Sequence, residues 1–295
     1  MEYITEEKFN RTKYPKEDIC FKWAMIIGIP MAILSLVILG SFTFILIYVV
    51  SLILLYWIVL LVSKMELVGN AVRVSESNFP EIFDIYNEVR QSLSYKKEIQ
   101  IYVIEGGTVN AFLTKFFRVE YIILNSELVK DMIDNDFKRT QLKWFIARFI
   151  GSIKAKHFRL EILRLTLEYA EKLKVLNVFL LPYERATQYT GDNMGMLVTK
   201  DVEQSIIAFN KLMVGNDLAS KIRFEGIIEQ GKDLKRSYLF SFIARAFSSH
   251  PHLVSRYLNL LAYARKEFPE QFEAYIAAFD NETKYTLFRV LPDYD

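Results

Sequence analysis

The chain has 295 residues, 52% of them hydrophobic, and a formal net charge of +2. A nearly neutral chain has no excess of charge to attract a polyanion, so nucleic acid is excluded as the expected partner. Its single cysteine, Cys20, excludes an intrachain disulfide framework and a cysteine-rich zinc module. A histidine-based site would have to be built from His157, His250 and His252.

A long uncharged segment follows the N-terminal leader. No Asp, Glu, Lys, Arg or His lies between Lys22 and Lys64, and one helix over that length would be roughly twice as long as a bilayer core is thick. A break near Gly40 instead gives two spans that can each cross a membrane, and the lipid bilayer is therefore the first expected partner. The expected segments are a leader (1–22) and a transmembrane hairpin (23–63) with spans at about 23–39 and 42–63.

Basic residues flank the hairpin on both sides, whereas the short loop between the spans has none. They are Lys8, Arg11, Lys13, Lys16 and Lys22 before it and Lys64 and Arg73 after it. The positive-inside rule then predicts that both termini and the main domain are cytoplasmic, at the cell (inner) membrane.

From residue 64 onward charges are spread throughout the chain, as in a soluble domain. Asn78 and Pro80 are typical of a helix start, whereas 98–104 and 118–124 alternate like strands. Beyond Asp136 the spacing is helical, with breaks expected at Pro182, Gly215, Gly231 and Pro251. We expect an α+β domain over 64–268, mainly helical with a small sheet.

The C-terminal extension, 269–295, continues a helical pattern of aromatic residues and ends in a strand-like stretch, Tyr285 to Leu291. It is expected to pack against the domain, and docking to another chain is the alternative. The apolar stretch Leu173 to Pro182 is too short to cross a bilayer, so a core or lid helix is favoured over membrane re-entry.

Seven short segments, in this order, resemble the HtpX-like membrane zinc metallopeptidases, relatives of the CaaX prenyl endopeptidases. They are Leu67–Asn70, Asn78–Pro80, Val109–Phe112, Tyr121–Leu124, Ile153–His157, Arg185–Asp192 and Ser249–Pro251. The resemblance implies a zincin-like (gluzincin) domain behind a membrane hairpin. It also implies a zinc ion held by an HExxH helix and by a glutamate of a later helix.

The residues that would carry this chemistry are replaced. The resemblance places the two histidine ligands at Arg148 and Ser152, the catalytic glutamate at Phe149 and the glutamate ligand at Gln188. A guanidinium does not release a proton to bind zinc, and phenylalanine cannot accept one. Zinc, expected for the family, is therefore predicted to be absent, with no cofactor and no catalytic residue in its place.

Spacing suggests what replaced the metal. Arg148 and Ser152 share one helix face, and Gln188 shares a face with Asp192. We hypothesise that Arg148 occupies the vacated position and forms an ion pair with Asp192 or Glu184. The alternative is an exposed arginine on a drifting site.

Further residues of the expected cleft have two readings each. Asn110, Asp192 and His250 are candidates for a vestigial cleft, but Asn110 could equally cap a turn and His250 could simply begin a helix. Phe149 could fill the cleft or belong to the core. Arg256 is expected to be a structural ion-pair partner.

Together these features predict a membrane-anchored, catalytically inactive metallopeptidase homologue that acts as a protein-binding, regulatory or scaffold component. An active protease with an altered metal site is one alternative. A structural membrane subunit that assembles through its hairpin is another. The expected partners are an unidentified protein and further copies or subunits in a homo- or hetero-oligomer.

Overall fold

The structure is a computed structural model, and the chain it describes is mostly helical with a small four-stranded sheet. The described residues are 3–40, 43–107, 110–116, 119–130, 132–133, 136–160, 179–237, 240, 248 and 250–294. Most of the expected lid segment, Leu173 to Pro182, lies outside them.

Two long apolar helices follow a short one. Helix α1 is Glu6–Arg11, α2 is Glu17–Gly40 and α3 is Thr43–Asn70. Both α2 and α3 contain a stretch that is long and apolar enough to cross a membrane, with mean hydropathies of 2.0 and 2.2. Both helices extend beyond the expected spans into the charged flanks, α2 at its N-terminal end and α3 at its C-terminal end.

The four strands form a mixed sheet in the order β1-β2-β4-β3. They are β1 (Val72–Arg73), β2 (Gln100–Ile104), β3 (Ala111–Phe116) and β4 (Val119–Asn125). The pair β2 and β4 is parallel, and β1 and β3 flank it antiparallel. The predictions of β2 and β4 are confirmed, whereas β1 and β3 were not predicted. In the described chain β3 is an edge strand.

The sheet is buried on both faces through the alternation of its side chains. One face places Ile101, Val103, Ile122 and Leu124 in the main core. On the other face Tyr102 and Tyr121 pack against Leu67 near the end of α3. The sheet therefore fixes one end of the apolar hairpin to the domain.

Helices supply the rest of the domain. They are α4 (Pro80–Ser92), α5 (Ser126–Val129), α6 (Asp136–Lys154), α7 (Leu181–Thr199), α8 (Val202–Val214), α9 (Asn216–Ala219), α10 (Phe224–Arg236), α11 (Leu253–Glu267), α12 (Pro269–Ile276) and α13 (Asn281–Val290). The starts of α4 and α6 are as predicted.

One predicted break is wrong. Gly231 lies inside α10 rather than between helices. A Cβ atom at Gly231 would lie 2.8 Å from Cδ1 of Leu258, which belongs to α11. Glycine at this position therefore allows two helices to approach closely, and the sequence alone does not separate that role from a break.

The C-terminal extension belongs to the core. Phe272 and Ile276 of α12 are buried in the main cluster, which confirms the expected packing against the domain. The predicted strand from Tyr285 to Leu291 is wrong, because α13 occupies nearly all of it. Asp280 caps this helix by accepting a hydrogen bond from the Thr283 backbone N–H at 2.7 Å, which favours helix over strand.

The N-terminal leader also packs into the domain. Ile4 and Phe9 are buried in the main cluster, and the Ile4 backbone N–H donates to the Ser92 carbonyl at 2.9 Å. The Tyr263 hydroxyl donates to Thr12 Oγ1 at 3.1 Å. Since the leader continues into α2, the domain holds the hairpin at this end as well.

Candidate functional site

The candidate site lies where α6 packs along α7. A Cβ atom at Gly195 would lie 2.6 Å from Cδ1 of Trp144. At Gly191 it would lie 3.0 Å from Oγ of Ser152 and 3.2 Å from Cγ of Arg148. These glycines let the two helix backbones approach closely enough for polar side chains of α6 to reach those of α7.

Arg148 of α6 reaches two residues of α7. Its Nε atom lies 3.0 Å from Oδ1 of Asp192, and its Nη2 group donates to Oε1 of Gln188 at 2.5 Å. Asp192 and Gln188 are one turn apart, so a single guanidinium spans the face that they share. The structure thus brings Arg148 to Asp192, whereas no ion pair joins Arg148 to Glu184.

Arg256 of α11 binds the same carboxylate from the other side. Its Nε group donates to Oδ2 of Asp192 and its Nη2 group to Oδ1, both at 2.8 Å. Such a bidentate pair is the strongest geometry available to an arginine and a carboxylate. Asp192 therefore connects three helices, α6, α7 and α11, through two guanidinium groups.

The cluster is almost sealed from water. The side chains of Arg148, Arg256 and Asp192 are 10%, 5% and 0% exposed. Burial, and then the nearby Arg256 charge, lowers the pKa of Arg148 to about 10, against the opposing effect of Asp192. Arg148 thus remains protonated at neutral pH, and a desolvated positive charge stays in the cluster.

Aromatic rings line the cluster. The guanidinium carbon of Arg148 lies 6.0 Å from the ring centre of Trp144 and 5.4 Å from that of Phe149. The corresponding atom of Arg256 lies 5.1 Å from the Phe209 ring. Phe149 belongs to the main core and is 7% exposed, so it is a core residue that also borders the arginine.

The remaining predicted site residues occupy different places. Ser152 faces Gly191 one turn beyond Arg148. His250 precedes α11, and burial together with the charges of Arg256 and Arg148 lowers its pKa. The charges of the cluster therefore act on His250, which shortly precedes the helix that carries Arg256.

Asn110 stands at the start of the edge strand β3. Its side-chain Oδ1 accepts the Ala111 backbone N–H at 2.8 Å, and its carbonyl accepts the Asn125 N–H at 3.0 Å. No hydrogen bond or ion pair connects it with the arginine cluster. The observed contacts of Asn110 are thus those of a backbone cap.

A zinc ion does not fit the residues at these positions. Arg148 spans the two helices with a protonated guanidinium, and Asp192 and Gln188 are its acceptors. Ser152 and Gln188 offer a hydroxyl and an amide, which are poor zinc ligands. Within the described ranges no three His, Cys, Asp or Glu side chains converge on a possible metal position.

Sequence reasoning missed a second buried polar cluster beside α7. Glu17 accepts hydrogen bonds from the Thr190 hydroxyl and lies 3.2 Å from Nε2 of His157. The partners are 140 and 173 residues away from Glu17 along the chain. Patterns in the sequence predict contacts only between residues that are close along the chain. The sequence therefore contains no signal for these two contacts.

Comparisons with known proteins give no relative for this chain. No family model matches it, and no curated protein or solved structure is significantly similar.

Proposed function

We propose that this protein is a membrane-anchored, non-catalytic homologue of the HtpX-like zinc metallopeptidases that binds a segment of another protein. Arg148 carries the proposal: it occupies a position that the resemblance assigns to a zinc ligand, and it pairs there with Asp192. The zincin-like fold is part of the proposal, as is a regulatory or scaffold role.

The arginine cluster supports a structural replacement for the metal. Zinc in such a domain would join the helix of Arg148 to the helix of Gln188. Arg148 makes the same connection through Gln188 and Asp192, and Arg256 extends it to α11. An interior ion pair of this kind maintains helix positions without supplying a nucleophile or a proton acceptor.

The hairpin supports the membrane anchor. In the most apolar 18-residue window of Ile47–Asn70 none of the residues is buried by protein. Both ends of the hairpin pack on the domain, Ala24 against Tyr183 and Leu67 against Tyr102. This packing supports a domain that lies on one side of the bilayer, and we infer from the flanking basic residues that this side is the cytoplasm.

The outer edge of β3, which no further strand of the described residues covers, is the proposed binding surface. Asn125 donates to Asn110 at 3.0 Å, which makes these opposite residues a hydrogen-bonded pair. Because such pairs alternate along an antiparallel ladder, the backbone groups of Leu113 and Lys115 face away from β4. An extended peptide can add to this edge as a further strand.

Photocrosslinking of the full-length chain in its native membrane tests the proposal. A photoreactive residue replaces Phe112, which is 47% exposed on β3, and a control carries it at Tyr285, which is 63% exposed on α13. We expect a discrete crosslinked protein at position 112 and none at 285.

Proline at position 115 provides the matched comparison. Lys115→Pro removes one outward N–H from the edge strand, whereas Lys115→Ala keeps that N–H and removes the same ion pair with Glu120. We expect Lys115→Pro to abolish the crosslink and Lys115→Ala to retain it. Equal crosslinking in both variants would show that strand addition is not the mode of binding.

Assembly through the hairpin is the second candidate, because its apolar surface is exposed along the second span. Replacing 23–63 by an unrelated two-span hairpin separates the two functions. A protein that binds through β3 keeps its crosslink at position 112 after the exchange. A subunit that assembles through the hairpin loses its partner.

A further inference from the structure

The arginine cluster has more positive than negative charge. Arg148 and Arg256 both pair with Asp192, and among the described residues no other carboxylate lies within ion-pair distance of either. Two guanidinium groups and one carboxylate leave an excess of one positive charge in a nearly sealed environment. A buried charge of this kind is costly unless an anion balances it.

The cluster also has hydrogen-bond donors to spare. Arginine can only donate, so the bond from Arg148 fixes Oε1 of Gln188 toward the guanidinium and leaves the amide Nε2 group directed elsewhere. In the part of the chain that the structure describes, neither this Nε2 group nor Nη1 of Arg148 has an acceptor. Both nitrogen atoms keep some contact with solvent.

We propose that the two unused donors of the cluster, Nη1 of Arg148 and the amide Nε2 of Gln188, form a binding site for one carboxylate group beside the guanidinium. A carboxylate brings a single negative charge, which equals the excess in the cluster. Its two oxygens can accept from the guanidinium of Arg148 and from the amide of Gln188 together. His250 is exposed and shortly precedes the helix that carries Arg256, so we infer that the carboxylate enters from this side.

The carboxylate can come from two sources. One is the C-terminal carboxylate of a peptide held in the cleft, and this source rests on the proposed function. The other is a small free carboxylic acid. The chemistry of recognition is the same for both, and the probes below distinguish them.

Binding is measured on the full-length chain in lipid nanodiscs. A fluorescent tetra-alanine peptide with a free C-terminal carboxylate is titrated by fluorescence anisotropy, and the same peptide with a C-terminal amide is the control. Because one charge-assisted hydrogen bond is lost, we expect the amide to bind about tenfold or more weakly. For the small free carboxylic acid the probe is sodium acetate. The Tm of the protein is measured in acetate and in chloride at the same ionic strength.

Two variants keep the result interpretable. Arg148→Gln removes the excess charge, so the response to every carboxylate should disappear. Gln188→Glu places a resident carboxylate beside Arg148, so it should raise the Tm in chloride and also abolish the response. Gln91→Glu, which makes the same chemical change at an exposed position of α4, should alter neither property.

The outcomes separate the two sources. If the peptide with the free carboxylate binds more tightly than the amide and acetate leaves the Tm unchanged, the site belongs to a peptide terminus. If acetate raises the Tm, the site accepts a free carboxylic acid. Equal binding of acid and amide together with no acetate effect would overturn the proposal, as would an unchanged response in both site variants. Since crosslinking at β3 is measured separately, such a result would leave the strand-binding function intact.

Discussion

Asp192 receives two hydrogen bonds from Arg256, one on each carboxylate oxygen and both 2.8 Å long. Arg148 adds a third contact to the same carboxylate. The buried carboxylate of Asp192 thus pairs with one arginine from each of two neighbouring helices, α6 and α11. This arrangement makes the carboxylate, rather than either arginine, the residue on which the cluster depends.

Asp192→Asn should therefore destabilise the domain strongly. It leaves two buried guanidinium groups without a carboxylate, and the loss of one partner from a buried pair costs about 3–5 kcal/mol. Thermal unfolding of the full chain in nanodiscs measures the effect. Glu88→Gln is the comparison, because Glu88 pairs with Arg139 and Lys143 at a partly exposed site and should cost less than about 1 kcal/mol. Equal losses in the two variants would contradict this role of Asp192.

Gly195→Ala tests the close contact of α6 with α7. The added methyl group would lie 2.6 Å from the Trp144 ring, so we expect a loss of about 1–3 kcal/mol from overpacking. Gly226→Ala adds the same group within α10, where nothing lies within 4 Å, and should stabilise the helix by about 0.5–1 kcal/mol. Opposite shifts in Tm are the expected pattern, and a neutral Gly195→Ala would argue against the observed helix spacing.

The pH dependence of stability should report His250. Its pKa is lowered from 6.5 in the folded chain, so below pH 6.5 the unfolded chain binds a proton that the folded chain does not. Stability is thus unaffected at higher pH and decreases as the pH falls below 6.5. The Tm difference between the wild type and His250→Asn should be constant above about pH 7.5 and change in favour of the variant at lower pH. Parallel curves through this range would refute the assignment.

Phe9→Ala tests whether the leader belongs to the folded domain. Phe9 is 2% exposed, and the Lys154 ammonium lies 4.2 Å from its ring centre. Truncation of a buried phenylalanine costs about 3–5 kcal/mol. The same change at Tyr3, which is 66% exposed, should have little effect. Limited trypsin digestion should cleave after Lys8 and Arg11 faster in Phe9→Ala only, and equal rates in both variants would mean that the leader is not held.

Local patterns predicted those parts of the fold that depend on local chemistry. The uncharged run between Lys22 and Lys64 predicts the two apolar helices, and the alternation of residues 98–104 predicts β2. The edge strand β3 was missed because its sequence, Ala111 to Phe116, has no clear alternation. The final helix was misread as a strand over Tyr285 to Leu291 because the Asp280 cap, which lies before this stretch, was not considered.

The candidate site was predictable only in part. Helical spacing brought Arg148 and Ser152 to one face and Gln188 and Asp192 to another, and these two faces do meet. The bidentate contact depends on how α11 packs, because Arg256 lies 64 residues from Asp192 along the chain. Contacts of this range follow from tertiary structure and have no local signature.

Zinc stoichiometry tests the central claim most directly. The full-length chain, purified in nanodiscs after equilibration with zinc, is analysed by atomic emission alongside Asp192→Asn. The account predicts substoichiometric zinc in both proteins, because Arg148 occupies the space between α6 and α7. One tightly bound zinc per chain, removed by a chelator together with any peptidase activity, would contradict it.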